Sequence, residues 1–128
     1  MRVHDSFVEI GELILVETAA EWRAWLEANA GRKREVWLVN FKKGAAGASL
    51  DYESALDEAT CFGWIDSMIR RLDAERYAIR WTPRRPRSRW TEVNLARARR
   101  LISAGRMAPA GLAALPADRS PAEARRDS

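Results

Sequence analysis

One cysteine, one histidine and three lysines are all that this 128-residue chain holds of those types. Each scarcity excludes something. A single cysteine, Cys61, allows no internal disulfide and fits a reducing compartment. The lone histidine, His4, lies in a loose N-terminal stretch, so no Ser-His-Asp or Cys-His site is expected. No Cys/His set has metal-ligand spacing, and neither a metal nor another cofactor is expected. No apolar run approaches the length of a membrane span. The stretch MRVHDSFVEIGELILVE is broken by Asp5, Glu9 and Glu12, so it lacks the apolar segment of a signal peptide. A cytoplasmic protein with no membrane insertion is the expectation.

Arginine is abundant where lysine is scarce, with nineteen against three. A GC-rich genome produces that bias without selection. It does not produce the clustering. From Arg70 to Arg106 twelve arginines face only Asp73, Glu75 and Glu92, a local +9 in a chain of net +4, which leaves −5 for the rest. Such asymmetry marks a surface where an anion docks, or a set of arginines paired with acids from elsewhere. At 128 residues and 47% apolar content the chain fits one globular domain, and most of its six tryptophans are expected in packing.

The pattern predicts a flexible arm over 1–11, a domain over 12–115 and a disordered tail over 116–128. Residues 12–16 read as a short strand. Thr18 to Glu21 form a capping box that opens a helix over 19–29, with Trp22, Trp25 and Leu26 on one side and Gly31 as the stop. Residues 35–42 carry apolar side chains on both faces, as an inner strand does. Residues 51–62 read as a second helix that ends at Gly63, with Asp57 and Glu58 on its solvent side. Residues 64–72 and 76–82 read as a hairpin around Asp73-Ala74-Glu75, closed by Pro83 and Pro86. Ser88 or Thr91 caps a third helix over 92–104, and Pro109 opens a short last one. The expected fold is therefore α+β. A small antiparallel sheet includes the hairpin, and three main helices and a short C-terminal helix pack it.

A three-residue turn pairs hairpin residues whose numbers sum to 148, which sets Ile69 opposite Ile79 and Asp66 opposite Thr82. Tyr77, Ile79 and Trp81 then form the core face. Trp64, Asp66, Met68, Ala78, Arg80 and Thr82 form the other. Asn94 falls on the apolar arc of the third helix, where an unpaired amide costs about 1–3 kcal/mol and so needs a partner. Asp66, Arg80 and Asn94 are thus expected to converge. One reading is a buried network that pins hairpin to helix. The other is a ligand site in which Arg80, Arg84 and Arg85 grip an anion with their donor forks, Asp66 and Asn94 orient them, Thr82 contributes, and Trp64 and Trp90 form the walls. The Arg84–Arg89 run is also open to nucleic acid through phosphate contacts, although no groove-reading motif accompanies it. An enzyme using Asp66 as acid-base group with Arg80 is a further alternative; no catalytic residue is assigned.

The combination of Gly63-Trp64-Ile65-Asp66, Arg80, Thr82-Pro83-Arg84-Arg85, Ser88, Trp90, Asn94 and Gly105-Arg106-Met107 with Gly111 resembles the YdeI/OmpD-associated family of bacterial proteins. The EVWLVNFKK strand and the Trp22–Leu26 helix extend the resemblance over about Val16 to Leu115. It implies a link to bacterial stress and bacteriocin protection, and to an outer-membrane porin. It brings no catalytic residues. The functional expectation is a non-catalytic binding protein whose Arg-rich pocket takes an anionic small molecule or an acidic protein surface.

Overall fold

The computed structural model describes residues 9–116. The expected disordered tail, apart from its first residue, and most of the expected N-terminal arm lie outside the described residues. The described residues form four strands and four helices in the order β1 (Leu13–Ile14), α1 (Ala19–Asn29), β2 (Val36–Phe41), α2 (Tyr52–Cys61), β3 (Trp64–Arg71), β4 (Arg76–Pro83), α3 (Glu92–Ser103) and α4 (Pro109–Ala113). The fold is α+β. Its sheet is mixed, in the order β1-β2-β4-β3, because β1 runs parallel to β2. The difference from a purely antiparallel sheet has a simple cause. Helix α1 is the crossover between β1 and β2, and a crossover of that length returns the chain in the same direction.

Local chemistry sets the boundaries. Thr18 Oγ1 accepts from Glu21 N at 3.1 Å while Glu21 Oε1 accepts from Thr18 N at 3.1 Å, so the capping box at α1 is closed in both directions. Asp51 caps α2 by accepting from Ser54 N, and Thr91 caps α3 by accepting from Asn94 N. Helix α2 stops at Gly63, whose φ of 76° is left-handed. A Cβ there would also lie 2.9 Å from the Ala110 carbonyl, so Gly63 serves both the turn and the seating of α4. Gly111 allows the same close approach from the other side, since its Cβ would meet the Cys61 carbonyl at 2.2 Å.

Helices α1 and α2 cover one sheet face. Trp22, Leu26, Val36, Leu38, Leu56, Trp64, Ile79 and Trp81 are buried together there. The tryptophans interlock: Trp22 stacks on Trp25 at 5.5 Å between centroids, and Trp25 meets Trp64 edge-on at 5.7 Å. The Trp22 indole donates to the Ala55 carbonyl at 3.0 Å and ties α1 to α2. Strand β2 is an inner strand, buried over Val36–Asn40.

The hairpin turns as expected. Asp73 Oδ1 accepts from the amides of Glu75 and Arg76, and Ile69 pairs with Ile79. Two details differ. Ile69 is 63% exposed, because β3 is the outer strand and lacks a neighbour on its far side. More consequential is a β-bulge between Asp66 and Met68. Beyond it the register changes, so Asp66 faces Trp81 rather than Thr82, and Trp64 faces Pro83. One extra residue reverses the faces of a strand. Trp64 and Asp66 therefore lie on the helix-covered face, whereas Met68, Ala78, Arg80 and Thr82 lie on the other. Burial of Trp64, 1% exposed against Trp25, stabilises this register.

Candidate functional site

The bulge takes apart the expected trio. On the helix side, Asp66 accepts from the Tyr52 hydroxyl at 3.2 Å. Arg80 is on the opposite face, where its Nε donates to Glu35 Oε1 at 2.5 Å. Glu35 lies two residues before Trp37, and Trp37 pairs with Arg80 across β2 and β4, so strand order alone brings the carboxylate to the guanidinium. Asn94 sits half-buried at the start of α3, and its amide side chain makes no hydrogen bond to the described residues. It lines none of the hollows described below. The convergence of Asp66, Arg80 and Asn94 is thus corrected, and with it the geometry for an acid-base pair of Asp66 and Arg80.

Four of the other expected residues do come together, without Trp64 and Trp90. A cleft of about 440 Å³ opens on the sheet face opposite α1 and α2, between β3 and the loop after β4. Arg80, Thr82, Arg84 and Arg85 all line it, over an apolar floor that includes Ile65 and Pro83. Arg84 is the most constrained of these groups. Its backbone amide donates to the Gly63 carbonyl at 2.9 Å, which extends the hairpin ladder by one step. Its guanidinium lies over the Trp90 ring at 3.8 Å, and Nη1 donates to Ser88 Oγ at 3.1 Å. No carboxylate among the described residues forms an ion pair with it. Burial pushes the Arg84 guanidinium below the usual arginine value, and the negative charge of Asp66 only partly opposes this. Trp90, expected as a wall, lines none of these hollows and instead packs its ring against the Arg84 guanidinium. Trp64 is a core residue whose edge lines a separate hollow of about 350 Å³ with Phe62, Arg84 and Arg85.

Several residues escaped sequence reasoning. Ser67 lines the cleft, as do Arg87 and Ser88, which the sequence offered only within the Arg84–Arg89 run. Arg34, from the loop before β2, lines an adjoining hollow of about 330 Å³ with Arg80, Thr82, Arg84 and Arg85. Only the pairing of β2 with β4 reveals that Arg34 belongs here.

Three arginines further along the basic stretch have structural partners on α2. Arg97 pairs with Asp57 and, at 2.7 Å, with Glu53; Arg100 pairs with Asp57 at 2.7 Å. Arg106 and Arg23 both bind Glu58, with Arg23 at 3.0 Å. Glu58 was expected on the solvent side of its helix and is only 2% exposed, because these two guanidiniums compensate its burial. Beside it Cys61 is fully buried, and burial pushes its thiol up, with the Arg23 hydrogen bond opposing.

Among the described residues no cluster of His, Cys, Asp and Glu could hold a metal, and no helix is long and apolar enough to cross a membrane. No curated protein and no solved structure matches the chain. Residues 14–114, which hold α1 through α4 and the whole arginine loop, match the family described as Domain of unknown function (DUF8412), and the chain belongs to that family.

Proposed function

We propose that this protein binds small anions, without transforming them, in the cleft between β3 and the loop after β4. The observation that carries the reading is Arg84. It is a partly desolvated guanidinium fixed by an aromatic ring and a serine, facing a cleft, with no carboxylate partner among the described residues. A docked anion would supply the missing countercharge, and the stacked, planar fork is already oriented to receive it. Arg85, exposed and unpaired among the described residues, adds a second donor.

The resemblance to the YdeI/OmpD-associated family supports setting this binding within bacterial stress or bacteriocin protection. A cytoplasmic location belongs to the same proposal, and the buried, unpaired Cys61 is consistent with a reducing compartment. The test is calorimetry with orthophosphate and citrate at low ionic strength. Arg84→Ala should weaken binding about tenfold or more while the melting curve stays cooperative. Equal binding by the wild type and Arg84→Ala rejects the site.

A further inference from the structure

We infer that the site takes two adjoining anionic groups, as in a diphosphate, rather than one. This rests on the binding reading above and concerns the class of ligand. The cleft beside Ser67 and Ser88 and the hollow beside Arg34 share a wall made of Arg80, Thr82, Pro83, Arg84 and Arg85. They are two compartments that share three guanidiniums. Counted together, five guanidiniums line them, from Arg34, Arg80, Arg84, Arg85 and Arg87, and no carboxylate does. One monoanion leaves most of that charge unneutralised.

Arg80 is built to serve both compartments. Glu35 occupies only its Nε, at 2.5 Å, which holds the plane of the guanidinium while both terminal nitrogens stay unpaired among the described residues. Glu35 is therefore a positioning residue. The hydroxyls of Ser67, Thr82 and Ser88 add neutral donors at the same surfaces. Phosphate groups have three outward oxygens each and use donors of both kinds, whereas a carboxylate is satisfied by one fork. The chemistry is common to free pyrophosphate and to the diphosphate end of a nucleotide.

Calorimetry with pyrophosphate, orthophosphate and ADP tests this. Pyrophosphate should bind wild-type protein at least about tenfold more tightly than orthophosphate, because each added charge-assisted contact contributes on that scale. Arg34→Ala should weaken pyrophosphate binding more than orthophosphate binding and so remove that advantage. Arg84→Ala should weaken both. Glu35→Gln, which keeps a hydrogen-bond acceptor, should retain most of the pyrophosphate preference, and Glu35→Ala should lose it. ADP matching pyrophosphate assigns the diphosphate alone as the recognised unit; tighter ADP binding adds a nucleoside contact. Orthophosphate binding through Arg84 with no gain for pyrophosphate overturns the two-group inference and leaves the binding reading standing. Silence from all three ligands overturns both. A single-stranded oligonucleotide that binds with a steep salt slope and is not displaced by pyrophosphate overturns the inference in favour of nucleic acid.

Discussion

At the seam between α2 and α3, Arg97 is 10% exposed and holds Glu53 and Asp57; on the loop after β4, Arg84 is also partly buried and holds no acid. Burial acts on both guanidiniums in the same sense, against the charged form. For Arg97 the hydrogen bonds to Glu53 and Asp57 overcome it, so the guanidinium stays above the usual arginine value. For Arg84 only the more distant Asp66 opposes burial, and the value falls. The local excess of positive charge thus divides into two populations. Arginines of α3 and of the segment after it neutralise acids of α2 and hold helices together. Arginines of the loop form no ion pair with the described residues. A sequence count of charges cannot separate these populations, because the partners are supplied by tertiary contacts.

The division predicts opposite phenotypes. Glu58→Gln should have the greatest effect on stability, about 2–3 kcal/mol in urea unfolding. Removing one member of a buried ion pair leaves the remaining charge uncompensated, and the figure lies below the fully buried case because solvent reaches both arginines. No change in anion binding should accompany it. A shift below about 0.5 kcal/mol would mean that Glu58 is not a stabilising centre of the seam.

Arg84→Ala should behave in the reverse way. The Trp90 contact contributes about 0.5–1 kcal/mol, so the midpoint of unfolding moves little. Anion affinity should fall about tenfold or more, since a charge-assisted fork is lost. Wild-type affinity together with a large loss of stability would place Arg84 in the structural population instead.

Much of the fold was legible because the local signals agreed with the global one. The capping box at Thr18, the stop at Gly63 and the Asp73 turn are short-range chemistry and appear where the sequence places them, and of the two caps read for α3 it is Thr91 that forms. The inner position of β2 was legible from apolar residues on both its faces. The candidate site was legible only in part. Arg80, Thr82, Arg84 and Arg85 lie close together in sequence and share one cleft. Asp66 was misplaced because a bulge carries no sequence mark here: Ser67 is an ordinary strand residue, and the reason for the extra residue is the burial of Trp64 against Trp25. Glu35 and Arg34 were invisible because they reach the site through the β2–β4 pairing, which periodicity does not specify. Glu58 was misread because its helix surface becomes an interface only when Arg23 and Arg106 arrive from other segments.

The Tyr52–Asp66 contact offers a pH test of the corrected register. Burial raises the Tyr52 phenol above its ordinary value of 10.0, and the charge and hydrogen bond of Asp66 raise it further. A raised folded value means that the contribution is fully present below pH 10.0 and is lost as pH climbs through the folded value. Thermal melts of the wild type should therefore decline on the alkaline side, and Tyr52→Phe should flatten that decline above pH 10.0. Cys61 acts in the same sense from its own ordinary value of 9.0, so an earlier, shallower decline should survive the substitution. An unaltered alkaline limb in Tyr52→Phe would separate Tyr52 from Asp66 and undo the bulged register.

The finest test compares two arginines one turn-edge apart on α3. Arg100 is 58% exposed and shares Asp57 with Arg97, so Arg100→Ala leaves that carboxylate paired and should cost only about 0.2–0.5 kcal/mol. Arg97 is 10% exposed and serves two acids, so Arg97→Ala leaves Asp57 with the weaker, solvated partner and should cost about 1–2 kcal/mol. Their double substitution should cost more than the sum, because the second removal strands a carboxylate that either arginine alone can neutralise. Salt sharpens the distinction. Ionic screening should erase the Arg100 effect near 1 M, where the screening length is about 3 Å, and should leave more of the Arg97 effect, since the Arg97–Asp57 contact is the less exposed one. Strict additivity of the two substitutions would show that Asp57 is not shared, and the α2–α3 seam would then be a set of independent surface pairs rather than a network.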